Sequence, residues 1–162
     1  DRTGGVARRR RYAPMESLSF LLEQLAAVPV EKPLVITHHV DMMRYAAEVE
    51  EKKVLTHEWD YADVRAYWEA IRWRRVAAVL YGHTHGRNVF RWDGGARPAA
   101  AGAAAVPVFN TDNAAHFKDK RQALTMVTVD AGGTTFREFA TLDAWETGVW
   151  TPQVWRFPAR AV

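Results

Sequence analysis

The chain has 162 residues, is 48% hydrophobic and carries a formal net charge of +3, which predicts one domain with a hydrophobic core. It contains no cysteine, so disulfides and thiolate metal sites are excluded, while the compartment stays open and secretion or a periplasmic location is compatible with the composition. No apolar run reaches the roughly 20 residues of a membrane-spanning helix, so we expect no membrane span.

Residues 1–14 are rich in glycine and arginine and are predicted to form a loop or linker. Arg8 to Arg11 supply much of the positive charge, and we interpret them as a solvated surface run. No recognition helix or basic strand with interleaved aromatic residues accompanies them, so nucleic acid is not the expected partner. The chain begins with Asp1 and shows no signal-peptide pattern, and we therefore expect a processed chain or part of a longer one.

Helical spacing of apolar residues predicts a first helix at residues 15–27. The apolar run at 33–38 predicts a buried strand. Residues 40–58 are polar and irregular, with room for one short helix at 42–52. The helical face consists of four leucines, Leu18, Leu21, Leu22 and Leu25.

A second helix is predicted to begin at Asp60, a favourable N-cap, with Asp63 in the first turn, where a negative charge is stabilising. A strand at 76–81 follows. Strand, helix, strand in this order predicts a right-handed parallel crossover from residues 33–38 to 76–81. The apolar face of this helix is Val64, Tyr67, Trp68 and Ile71.

Shorter strands follow the crossover. A strand at 87–92 leads into an Asp-Gly-Gly turn, and the alanine-rich residues 96–105 are predicted to form a loop. The next strand is at 106–109, where Pro107 indicates either a sheet edge or the beginning of the strand.

Residues 122–130 and 134–140 predict a hairpin around an Ala-Gly-Gly turn. Residues 141–162 carry three tryptophans without a clear period, and we interpret them as a C-terminal tail. The part from 15 to 140 is then the domain proper, and its later strands are mainly antiparallel.

Two histidine clusters follow the two strands of the crossover. Residues 82–85 read Gly-His-Thr-His, and His38 and His39 follow the other strand. Imidazoles at neighbouring strand ends can converge on one point, and converging imidazoles bind transition metals. We predict His38, His83 and His85 as metal ligands.

The remaining histidines have weaker context. His39 is predicted to support a ligand or to face the substrate. His57 lies in the irregular segment, where it either reaches the site or is a surface histidine, and His116 is assigned no role. We identify no catalytic residue in this chain, which contains no Asp-x-His, Gly-Asp-x-x-Asp or Gly-Asn-His motif.

Together, the strand ending in His38, the crossover, the Gly-His-Thr-His motif and the Val-Pro-Val-Phe-Asn-Thr stretch at 106–111 resemble the C-terminal half of a calcineurin-like metallophosphoesterase. The resemblance covers roughly residues 12–140. It implies an α/β fold, a four-layer αββα sandwich, with two metal ions (Mn, Fe or Zn) at the strand ends. It also implies that His38 and His83 bind one ion and His85 the other.

In that family the bridging Asp, the other carboxylate, the Asn ligand and a catalytic His belong to N-terminal motifs, which this sequence lacks. The resemblance therefore implies hydrolysis of phosphoric esters, as a phosphatase or phosphodiesterase, in which this chain supplies only the C-terminal His ligands. The missing N-terminal half would be provided in cis or in trans. The alternative is a non-catalytic metal-binding or scaffolding module, since three His and a water satisfy a tetrahedral zinc.

Overall fold

The computed structural model describes residues 14–43, 46–47, 59–100, 104–110 and 121–160. These residues form a mixed α/β structure in which strands predominate. The helices are α1 (Pro14–Ala27) and α2 (Tyr61–Ile71). The strands are β1 (Leu34–Thr37), β2 (Ala46–Ala47), β3 (Trp59–Asp60), β4 (Val76–Tyr81), β5 (Asn88–Trp92), β6 (Val106–Asn110), β7 (Gln122–Asp130), β8 (Gly133–Thr141) and β9 (Val149–Pro158).

The predicted parallel crossover is confirmed. β1, β4, β6 and β5 form one sheet in that order. β1 pairs in parallel with β4, and α2 lies between them along the chain. α2 begins at Tyr61, directly after Asp60, where the sequence predicted the helix to start. β4 also pairs in parallel with β6, whereas β5 runs antiparallel to β6.

The strand predicted at 33–38 forms, but the prediction that it is buried is wrong. Among the described residues β1 is the edge strand of its sheet, and its residues alternate between half-buried and exposed, with Val35 47% exposed. An edge strand packs on one face and has a sheet partner on one side only, so a continuous apolar run does not ensure burial.

Pro107 marks the beginning of a strand rather than a sheet edge. β6 is internal and buried along its whole length. Its pairing with β4 starts only at Val108, one residue after the proline. The missing N–H of Pro107 therefore removes no hydrogen bond between those two strands.

The four-stranded sheet lies between two layers. On one face, Leu25 of α1 and Ile71 of α2 share a core with Val76 of β4. Burying a side chain such as Ile71 contributes about 1.5–3 kcal/mol. On the other face, Phe109 of β6 stacks on Phe136 of β8, with ring centroids 4.7 Å apart. The described residues thus form a helix layer and two packed sheets.

The second sheet has the order β7-β8-β9, and its first two strands form the predicted hairpin. Residues 141–162, which the sequence marked only as a tail, include β9, which pairs antiparallel with β8. Apolar residues of β9 occur on both faces: Trp155 packs on Phe109, while Val154 is 44% exposed. Consequently no alternating pattern marks this strand in the sequence.

The short helix considered at 42–52 is contradicted at Ala46–Ala47, which pair with β3 as a strand; residues 44–45 and 48–52 lie outside the described part. Arg8 to Arg11 also lie outside it. No helix among the described residues is long and apolar enough to cross a membrane.

Candidate functional site

The two predicted histidine segments lie side by side. Each follows the carboxyl end of one of two neighbouring parallel strands, β1 and β4. The backbone pairing continues beyond the strands. The His38 N–H donates to the Leu80 carbonyl at 3.0 Å, and the Gly82 N–H donates to the His39 carbonyl at 3.0 Å. These two hydrogen bonds fix the histidine segments relative to each other.

The closest histidine pair is His39 and His83. His39 Nε2 lies 3.2 Å from His83 Nδ1, and the rings are nearly perpendicular at 89° with centroids 5.1 Å apart. At this separation the two nitrogen atoms share a proton in a hydrogen bond or, with a small shift, bind one cation. Sequence reasoning gave His39 only a supporting or substrate-facing role, whereas here its imidazole faces His83 directly.

His38 turns in the opposite sense, into the protein. Its ring makes edge contacts with Trp59 and Tyr67, at centroid distances of 5.8 and 5.7 Å. Burial lowers the pKa of His38 to about 4, while the backbone of Val40 and the charge of Asp41 act in the opposite direction. Neither ring nitrogen has a hydrogen bond within the described residues. His38 is therefore neutral near pH 7, which is the form that binds metals.

The loop between β4 and β5 holds two histidines in a left-handed backbone conformation. His83 has a φ of 69° and His85 a φ of 50°. For residues other than glycine this conformation costs on the order of 1–2 kcal/mol per position. Interactions with the surrounding structure must hold the loop in this shape.

Asn110 provides that support. It is the last residue of β6, is only 2% exposed, and donates its side-chain N–H to the Gly86 carbonyl at 3.0 Å and to the Thr84 hydroxyl. Sequence analysis assigned Asn110 no role. A polar residue ending a buried parallel strand was the available signal, but only the strand order places it beside the histidine loop.

A cavity of about 590 Å³ lies next to the histidine segment of β1. Side chains of α1 and β1 line it, and most of this lining is apolar. The lining includes Leu21, Val35, His38 and His39. The cavity can therefore accept an apolar chain segment next to these two histidines.

The described residues contain no group of three or more His, Cys, Asp or Glu side chains placed to hold a metal ion. The donor type of His39 and His83 suits a transition metal, but two imidazoles do not complete a coordination shell. His85 is exposed in the same loop, and His57 and His116 lie outside the described part. The assignment of His38, His83 and His85 as ligands therefore stays a prediction.

Comparisons with protein-family models, curated proteins and solved structures find no match to this chain. The functional interpretation rests on the residues and their arrangement.

Proposed function

We propose that this chain is the histidine-bearing portion of a metal-dependent phosphoesterase, which hydrolyses phosphoric esters at a dinuclear centre. The observation that carries the proposal is the 3.2 Å approach of His39 and His83 at the ends of adjacent parallel strands. A layer of helices and two packed sheets are compatible with an αββα sandwich. In this proposal a further layer covers the outer face of β7, β8 and β9.

His39 and His83 are the residues that we expect to receive the first metal ion, because their nitrogen atoms already converge. His85 shares the loop, and His38 is neutral and one residue from His39, so both remain candidates for further ligands. A bound Mn, Fe or Zn ion would polarise the phosphoryl group and lower the pKa of a bound water.

The support around the histidine loop favours a site that is organised before a ligand binds. Asn110 holds the loop through two hydrogen bonds, so the strained backbone at His83 and His85 does not have to form on binding. A site held in this way loses less conformational entropy on binding than a mobile loop would.

The edge of β1 supports the proposal that another segment completes the site. In the described part of the chain no strand pairs with the outer side of β1, and residues of β1 line the apolar cavity. A strand added there in parallel would end at the same sheet edge as His38. Carboxylates at its end would supply the negative charge that imidazoles lack.

The first test is metal binding. Zinc or manganese is titrated into the purified chain by calorimetry, and we expect His39→Ala and His83→Ala each to weaken binding at least about 10-fold. Arg137→Ala, on the outer face of the second sheet, is the control and should bind as the unchanged chain does. Unchanged affinity in both histidine variants would reject this pair as ligands.

The second test is hydrolysis. A longer chain, or this chain associated with the N-terminal half, is assayed on nitrophenyl phosphate and bis(nitrophenyl) phosphate with added manganese. Activity that disappears in His83→Ala is the expected result. A properly associated complex without hydrolysis of either ester contradicts the proposed function.

The alternative is a non-catalytic module with a mononuclear His site. It requires only one ion, and the converging imidazoles of His39 and His83 would supply two of its ligands. Tight binding of a single ion by the associated complex, without hydrolysis, would support this alternative.

A further inference from the structure

A second cavity, of about 290 Å³, lies between the four-stranded sheet and the sheet of β7, β8 and β9. Its walls come from the beginnings of β4 and β6, from the end of β5, and from the β7–β8 turn and the end of β9. The histidine segments follow the opposite end of β4, whose six residues span about 17 Å. The cavity is therefore separate from the histidine site.

The cavity forms where β4 and β6 do not pair. Their parallel pairing starts at Val79 and Val108, and the earlier residues Ala77 and Pro107 line the cavity instead. The Ala77 carbonyl accepts a hydrogen bond from the Thr134 hydroxyl of β8 at 2.9 Å. The cavity wall is thus fixed by strand pairing and by a contact between the two sheets.

Arginine predominates among the charged side chains of this cavity. Within the described part of the chain, the lining includes Arg75, Arg91 and Arg160 but only one acidic residue, Asp130. The Asp130 carboxylate accepts two backbone N–H groups of its own turn, at 2.7 and 3.1 Å, and among the described residues it pairs with none of the three arginines. The lining therefore has an excess of two positive charges, which attracts an anion.

Two of these arginines have N–H groups available for a ligand. Arg75 and Arg91 are half-buried, and within the described residues neither makes a side-chain hydrogen bond or an ion pair. Arg91 lies over the ring of Phe157, 5.1 Å from the centroid, and this contact restrains it without an oxygen acceptor. Arg160, in contrast, donates to carbonyls at the end of α2, including that of Arg74 at 3.1 Å, and so adds mainly charge.

The two half-buried guanidinium groups favour a ligand with several negatively charged oxygen atoms. A guanidinium that has lost part of its hydration without gaining an acceptor is in an unfavourable state, and a bound anion would relieve both arginines at once. The arginine fork matches the geometry of phosphate oxygens. A phosphate monoester carries nearly two negative charges above about pH 7, because its second pKa is about 6. That charge balances the excess of the lining.

We propose that Arg75 and Arg91 bind the phosphate group of a small phosphorylated molecule in this cavity, at the end of β4 opposite the histidines. Contact with Phe157 restrains Arg91 before the ligand arrives, which lowers the entropy lost on binding. Apolar wall residues, among them Val76, accept the part of the molecule attached to the phosphate. The site does not depend on the proposed phosphoesterase function.

The experiment uses the chain in the presence of a chelator at about pH 8, where phosphate monoesters are dianions. Inorganic phosphate and phenyl phosphate are titrated at constant ionic strength, and binding is followed by NMR of the backbone. We expect saturable binding of both probes, weakened about 10-fold or more by Arg75→Ala or Arg91→Ala. Arg137→Ala is the matched control and should leave binding unchanged, because Arg137 also lies over an aromatic ring, Trp150 at 4.5 Å, but outside the cavity.

Shifts in the unchanged chain test the proposal even if a variant fails to fold. The amides of Ala77 and Gly133, which line the cavity, should move along one saturation curve, while those of Gly82 and Gly86 stay in place. Absence of saturable binding overturns the proposal, as does an equal loss in Arg137→Ala. A response confined to Gly82 and Gly86 also overturns it, because the anion would then lie at the histidine loop.

The two probes distinguish free phosphate from a phosphorylated molecule. Binding of inorganic phosphate without phenyl phosphate overturns the assignment to a phosphorylated molecule. Because the chelator removes metal ions and the cavity is at the other end of β4, a negative result here leaves the proposed function untouched.

Discussion

The buried imidazole of His38 should make the stability of the chain decrease in mild acid. Its pKa is about 4 in the folded chain, against an ordinary value of 6.5. As the pH falls below about 6.5, the unfolded chain takes up a proton on this residue and the folded chain does not. The free energy of unfolding therefore falls as the pH falls. This contribution is fully present above about 6.5 and has been lost by about 4.

The size of the effect follows from the difference between the two pKa values. One pKa unit corresponds to about 1.4 kcal/mol, so the whole contribution is about 3 kcal/mol. Between about pH 7 and about pH 5 the loss is roughly 2 kcal/mol. A loss of that size is a large part of the about 5–15 kcal/mol that stabilises a typical domain.

The measurement is urea unfolding at both pH values with a chelator present, for the unchanged chain and for His38→Leu. Leucine cannot take up a proton. Between about pH 7 and about pH 5 the free energy of unfolding of the variant should therefore fall by about 2 kcal/mol less than that of the unchanged chain. Ile71→Val, a fully buried control, should lower stability by about 0.5–1.5 kcal/mol at both pH values alike. The same pH dependence in His38→Leu and the unchanged chain would refute a buried neutral His38.

Three further predictions concern backbone and loop support. Asn110→Ala should lower the free energy of unfolding by about 1–3 kcal/mol, because the loop loses both side-chain hydrogen bonds, and should also weaken zinc binding. An unchanged free energy in urea unfolding and an unchanged zinc affinity in calorimetry would contradict this. His85→Gly should be about 1 kcal/mol more stable than His85→Ala, because the φ of 50° suits glycine; equal urea midpoints would contradict it. Gly133→Ala should destabilise the fold by more than about 1 kcal/mol, because the φ of Gly133 is 140° and an added Cβ would lie 2.0 Å from the Phe157 carbonyl oxygen. In Gly132→Ala the added Cβ would approach only a side-chain oxygen of Asp130, so thermal unfolding should show a clearly smaller loss of stability.

Elements with a strong local pattern were predictable. The leucine spacing of α1 predicted a helix at 15–27, and the structure has Pro14–Ala27. The hairpin of β7 and β8 was predictable from two apolar runs around a glycine-rich turn. In both cases residues close in the chain determine the conformation. β9 was not predictable, because its apolar residues face both the core and solvent.

The relative position of the two histidine segments was predictable, but the contacts of their side chains were not. Histidines after two strands of one crossover must lie at one edge of the sheet if those strands are neighbours, and β1 and β4 are. The sequence did not indicate which two imidazoles face each other. His38 and His39 are adjacent in sequence, and their rings go to opposite sides, one into the core and one toward His83.

By itself the sequence determined the α/β class, the parallel crossover and the location of the histidines at strand ends. These features depend on the local periodicity of apolar residues and on the right-handed crossover that joins parallel strands of one sheet. Only the tertiary structure decided the contacts that join distant parts of the chain. Asn110 hydrogen-bonds to a loop residue 24 positions away in the sequence, and Glu138 accepts hydrogen bonds from Arg121 and Arg87, which are 17 and 51 positions away. Such contacts follow from strand order and sheet packing. The spacing of residues within one segment does not reveal either of these.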